Sequence, residues 1–136
     1  IQNLMVMNNK VNIAIVGLGQ IGNYLYNELN LKKKYIEKKT GKKIDIVAIS
    51  AKNKNKKRQF KINKKIFFSN PLNIFKEKKI DILFESIGFA DGISRKIVET
   101  ALKKKIHVIT PNKALIAKHG DKLAELAEKN NVNLEL

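Results

Sequence analysis

The chain has 136 residues, a length that fits one domain with a sizeable buried core. It has no cysteine, which excludes disulfides and thiolate metal sites and fits a reducing compartment such as the cytoplasm. The formal net charge of +16 would suit a polyanion, but all 28 basic residues except Arg58 and Arg95 are lysine, spread from Lys10 to Lys129. Base reading and phosphate forks favour arginine. Ile and Asn are abundant as well, so the charge reads as compositional bias, and no nucleic-acid partner is expected. No run approaches the ~20 apolar residues of a membrane span, so no membrane partner is expected either.

Residues 1–10 lack the basic leader and long apolar core of a signal peptide. They are expected to form an N-terminal arm, or residues foreign to the protein, ahead of a domain over 11–136. Val11–Val16 is β-branched and nearly all apolar, like a strand buried on both faces. A glycine loop follows, then Ile21, Leu25 and Leu29 at helical spacing. The helix is expected to continue through Tyr35 and Ile36 and to end at Thr40-Gly41. Ile44–Ser50 reads as the second strand, and Ala51–Lys65 as a polar loop. Ile66-Phe67-Phe68 reads as a short strand. Asn70-Pro71 opens a short helix to about Lys78, with Leu72 and Phe75 turned inward. Asp81–Ser86 is a further strand, and Gly88 and Gly92 bracket a loop. Ile93–Lys104 is expected to be helical, burying Ile97, Ala101 and Leu102. His107–Thr110 is a strand and Pro111-Asn112-Lys113 a turn. Ala114–Asn130 is helical with a break near Gly120, and Val132–Leu136 is a last strand. The alternation predicts a Rossmann-type α/β fold, a doubly wound, mostly parallel sheet with helices on both faces.

The loop Gly17-Leu18-Gly19-Gln20-Ile21-Gly22 carries the chemistry. Alone, a GxGxxG string is a weak signal, but this one leaves a buried strand and opens an amphipathic helix. Gly17 then permits the tight turn, Gly19 lets a pyrophosphate approach the backbone, and Gly22 lets the helix pack close to the sheet. The helix N-terminus offers free N–H groups and a partial positive charge. The cofactor is NADP or NAD. Asp45 lies near the expected spacing for a ribose-binding carboxylate, but at the start of the second strand, about 16 Å from the useful end. The correct end reads Ser50-Ala51-Lys52-Asn53-Lys54 with no carboxylate. Lys52 there would meet a 2′-phosphate, which favours NADP. Lys56, Lys57 and Arg58 either add to that charge or form a solvated basic loop. Glu85 reads as a buried strand-end carboxylate or, less favoured, a cofactor-side group. His107 and His119 lack partners at metal-ligand spacing, so both read as structural and no metal is expected.

Four stretches carry a family resemblance: IAIVGLGQIG at Ile13–Gly22, TGKKIDIVAISAK at Thr40–Lys52, IDILFESIG at Ile80–Gly88 and HVITPNKALIAKHG at His107–Gly120. From Val11 onward the chain resembles the N-terminal domain of homoserine dehydrogenase, and the T-P-N-K-A-L-I-A string is the most specific match. The resemblance implies reversible reduction of L-aspartate 4-semialdehyde to L-homoserine by hydride transfer, a step toward threonine and methionine. It implies cofactor contacts from Gln20 and Ile21 to the phosphates and from Ile87 and Gly88 beside the nicotinamide-side ribose. It also implies that Thr110, Pro111 and Asn112 line the nicotinamide end. Lys113 matches a lysine at the junction of cofactor and substrate and is the catalytic candidate of this chain; the alternative is one more surface lysine. The family often has Arg-Asp where Lys52-Asn53 stands, and a second glycine where Phe89 stands. The resemblance further implies a substrate-binding, dimerising domain after the last strand. Residues 1–136 alone are therefore expected to bind dinucleotide but to turn over the aldehyde poorly, and the full-length protein is expected to be a homodimer. Other readings are a different amino-acid dehydrogenase, such as one acting on aspartate, or a dinucleotide-sensing module without chemistry.

Overall fold

The computed structural model describes residues 9–136. The arm expected over 1–10 lies outside the described residues except for Asn9 and Lys10, and Lys10 already opens the first strand. That strand, β1, spans Lys10–Val16, and β2 spans Lys43–Ser50. They are followed by β3 (Phe67–Phe68), β4 (Ile82–Glu85), β5 (His107–Ile109) and β6 (Leu134–Glu135). The sheet order is β3-β2-β1-β4-β5-β6, and every neighbouring pair is parallel. The chain winds outward from β1 to β3, then crosses back to β4 on the other side of β1. An open sheet wound this way presents a crevice outside the carboxyl ends of β1 and β4.

Helices cover both faces: α1 (Gln20–Leu31), α2 (Lys33–Thr40), α3 (Ile74–Glu77), α4 (Ile93–Lys103) and α5 (Lys113–Lys129). The alternation of β1 sorts the core. Ile13 and Ile15 face Tyr26, Leu25 and Leu29 of α1. Ala14 and Val16 face the other way, into a core with Ile97, Val98, Ala101 and Leu102 of α4 and Leu115, Leu123 and Ala127 of α5. A bulge alters this pattern in β2. Ile13 pairs with Ile46 but Ala14 pairs with Ala48, which leaves Val47 without a partner. Val47 and Ala48 thus share one face, while Ile46 and Ile49 share the other. Each fully buried Ile or Leu contributes about 1.5–3 kcal/mol.

Several local expectations change. The first helix is two helices, parted at Lys32, whose ψ of 10° lies outside the helical range. Asn27 and Asn30 are weak helix formers just before the break. Gly41, at φ 73°, closes α2 as the sequence predicts. Lys64–Ile66 forms a 3₁₀ turn, so the polar loop is shorter and β3 begins at Phe67. The segment after Asn70 is a 3₁₀ turn, Pro71–Asn73, and then a single α-helical turn. Ile74 is its fully buried residue, with Leu72 and Phe75 only partly buried against the core. No break occurs at Gly120. Leu115, Leu123 and Ala127 keep α5 continuous through packing, which outweighs the ~1 kcal/mol propensity cost of one glycine. The last strand shrinks to Leu134–Glu135.

Candidate dinucleotide site

The glycine loop joins three strand ends. Gly17 has φ 95°, and its N–H donates to the Ser50 carbonyl at 2.8 Å. A Cβ on Gly17 would lie 2.7 Å from the carbonyl carbon of Ser86, so neither the conformation nor the space admits a side chain. A Cβ on Gly22 would collide with the Gly17 carbonyl and stand 2.8 Å from Ser86 Oγ. That hydroxyl donates to the Gly17 carbonyl at 2.9 Å. Gly19 differs from both: a Cβ there would meet nothing within 4 Å. Gly19 caps α1 without a side-chain acceptor, and the first turn of α1 holds no acidic residue. Its leading N–H groups remain open to an anion. Gln20 and Ile21 are exposed on that turn, and Gly22 is buried beneath it. This donor set, with bare backbone at Gly19, fits a pyrophosphate.

A cleft of about 460 Å³ opens beside the loop. On its β2 side stand Ser50, Ala51, Lys52, Asn53, Lys56 and Arg58; on its β4 side, Ser86, Ile87, Phe89 and Ile93. Lys57 is not on the wall. The Arg58 guanidinium turns onto its own loop, donating to the carbonyls of Asn53 at 2.6 Å and Lys56 at 3.1 Å. It therefore braces the segment that carries Lys52 and Lys56. Asp45 sits away from the cleft, paired with Lys10 at 3.5 Å and Lys33 at 3.8 Å.

Of the remaining candidates, Ile87 lines the cleft, whereas Gly88, Thr110, Pro111, Asn112 and Lys113 do not. Thr110 and Asn112 are buried, with side chains spent on scaffold. Asn112 Oδ1 caps α5 by accepting from the Leu115 N–H at 3.0 Å. Asn112 Nδ2 donates to the Phe89 carbonyl at 2.7 Å and to Ser94 Oγ at 2.8 Å. Pro111 and Lys113 are exposed, and Lys113 is the first residue of α5 rather than part of a turn. The capping side chain of Asn112 starts the helix there.

Glu85 is the hub that the sequence left ambiguous. Fully buried, it accepts on Oε1 from Thr110 Oγ1 at 2.7 Å and from Asn112 Nδ2 at 3.5 Å. On Oε2 it accepts from the Ile87 and Gly88 N–H groups at 2.6 and 3.4 Å and from Ser94 Oγ at 3.0 Å. It ties the β4–α4 loop, α4 and the β5–α5 turn together, which is its structural reading. His107 Nδ1 accepts from the Asn133 N–H. His119 Nε2 meets Asp91 Oδ1 at 2.7 Å, and Lys118 Nζ meets Asp91 Oδ2 at 2.6 Å. The Lys118 hydrogen bond, followed by that of His119, holds the Asp91 carboxyl below its ordinary pKa. Sequence reasoning missed this latch, and it missed the cleft walls at Ser69, Pro71 and Ile93, because no local motif announces them.

The sequence pattern described as "Homoserine dehydrogenase, NAD binding domain" matches residues 17–136. The chain belongs to this family. It is 32% identical over 122 residues to the homoserine dehydrogenase of Neisseria gonorrhoeae, covering 90% of this chain and 28% of that protein. The crystal structure of S. aureus homoserine dehydrogenase at pH 7.5 superposes with a TM-score of 0.86 at 35% identity, over 93% of this chain and 32% of that one. A hyperthermophilic archaeal homoserine dehydrogenase mutant in complex with NADPH, 23% identical, shares the fold with a TM-score of 0.68 over 93% of this chain and 43% of that one. The chain spans about 28% of the length of the curated relatives it matches. Among the described residues no helix is long and apolar enough to cross a membrane.

Proposed function

We propose that residues 11–136 form the dinucleotide-binding domain of a cytoplasmic, homodimeric homoserine dehydrogenase. The complete protein would interconvert L-aspartate 4-semialdehyde and L-homoserine. When bound, the dinucleotide supplies or accepts the hydride. The carrying observation is the contrast within one loop: Gly17 and Gly22 lock against Ser86, while Gly19 faces open space above the free N–H groups of α1. Gly19, Gln20 and Ile21 hold the pyrophosphate through backbone N–H groups. Ile87 and Gly88 support the nicotinamide-side ribose, and Thr110, Pro111 and Asn112 shape the nicotinamide end. Since the Thr110 and Asn112 side chains bond to Glu85, these residues act through backbone and position. Lys113, exposed at the start of α5, contacts cofactor or substrate and carries the chain's own proton-transfer role.

NADP is favoured over NAD. Lys52 and Lys56 stand on the β2 side of the cleft, where NAD-selective sites keep a carboxylate for the ribose hydroxyls. A lysine attracts a 2′-phosphate as a point charge without the arginine fork. Calorimetric titration of NADPH and NADH into wild type and Lys52→Glu tests this. Wild type binds NADPH more tightly, and Lys52→Glu reverses the order. An NADPH preference that survives Lys52→Glu refutes the assignment of Lys52.

A further inference from the structure

The β4 side of the cleft carries an apolar surface that the phosphate and ribose contacts leave unused. Phe89 is 62% exposed and Ile93 40% exposed, yet both line the cleft. The Phe89 backbone is fixed, because its carbonyl accepts from Asn112 Nδ2 at 2.7 Å. Two residues on, Asp91 is latched to Lys118 and His119 of α5. The ring is thus held at the cleft by a braced loop. Among the described residues nothing packs over its exposed face, and exposed apolar surface lining a concavity marks a binding site.

The cleft pairs two chemistries. Its β2 side is cationic at Lys52 and Lys56, and its β4 side, past the ribose contact given to Ile87, is apolar at Phe89 and Ile93. A purine on a phosphorylated ribose offers both complements, a flat π face and negative charge. The cleft wall also stops short of Thr110–Lys113, the expected nicotinamide end. Beyond the ribose contact at Ile87, the part of a dinucleotide left to fill it is the adenosine half.

Resting on the dinucleotide reading above, we propose that Phe89 stacks on the adenine base, with Ile93 extending that wall. Phe89 thereby sets the affinity for adenine nucleotides whether or not they carry the 2′-phosphate.

The test is calorimetric titration of NADPH and of ADP-ribose, which lacks nicotinamide, into wild type, Phe89→Gly, Phe89→Leu and Phe89→Tyr. Base–aromatic stacking predicts that Phe89→Gly weakens both ligands alike, on the order of ten-fold. Phe89→Leu, with apolar bulk but no ring, weakens both less, and Phe89→Tyr restores wild-type binding. Unchanged ADP-ribose affinity in Phe89→Gly and Phe89→Leu overturns the proposal, as does a loss confined to NADPH, which would put the ring at the nicotinamide half. Wild type that binds neither ligand overturns the dinucleotide reading itself.

Discussion

The buried carboxylate of Glu85 accepts a 2.7 Å hydrogen bond from the hydroxyl of Thr110, 25 residues further along the chain. This contact joins the end of β4 to the end of β5, the two edges between which the nicotinamide end is proposed to lie. All five partners of Glu85 donate. Glu85→Gln turns one acceptor into a donor that faces donors. Leaving buried groups unsatisfied costs about 1–3 kcal/mol. Urea unfolding should show a loss of this size, and an unchanged midpoint would contradict the network.

Gly22→Ala should destabilise the fold without any ligand present. The added methyl collides with the Gly17 carbonyl, and backbone cannot yield as a flexible side chain can. Overpacking costs of about 1–3 kcal/mol set the scale for the loss. A Gly22→Ala protein as stable to urea as wild type would mean that α1 does not sit this close to the loop.

The Asp91 latch makes an acid-side prediction. Lys118 and His119 lower the carboxyl pKa from its ordinary 3.8. The stabilisation is thus complete above the unfolded value and is lost as pH falls through the lower folded value. Melting temperatures of wild type and Asp91→Asn should differ by a constant amount at neutral pH and converge as pH drops below 3.8. A gap that stays constant in acid would rule out the carboxylate as its source.

Lys113→Ala should separate binding from turnover in the complete protein. The side chain is exposed at the first position of α5, where a positive charge does not favour the helix dipole, so stability should hold or rise slightly. Homoserine oxidation should slow on the order of 10²-fold, the usual worth of a proton-transfer group, with NADPH affinity little changed. Wild-type turnover in Lys113→Ala would return this residue to the ordinary surface lysines.

What the sequence reveals is whatever depends on neighbours in the chain. The β-branched run before Gly17, the spacing of the three glycines and the C-terminal role of Gly41 all follow from local sterics. Asp45 can be set aside from its place in β2 alone, and its pairing with Lys10 and Lys33 keeps it at the far edge. Features that need distant partners are hidden. Nothing near Glu85 signals that Thr110 and Asn112 will donate to it. The bulge at Val47 and the unbroken helix through Gly120 are decided by packing against other elements, which overrides local propensity. Phe89 reads in the sequence as one more apolar loop residue; that it borders the cleft, with its carbonyl held by Asn112, shows only in the folded chain.

The central claim is that a dinucleotide lies over Gly19. Titrating NADPH by calorimetry into wild type and Gly19→Val, with urea unfolding of both in parallel, tests it most directly. Because a Cβ at Gly19 meets nothing within 4 Å, Gly19→Val should still fold, losing no more than the ~1 kcal/mol of a poorer N-cap on α1. It should nevertheless lose the saturable, one-to-one NADPH binding of wild type, because its side chain fills the approach to the α1 N-terminus. NADPH binding by Gly19→Val at wild-type affinity would contradict the account.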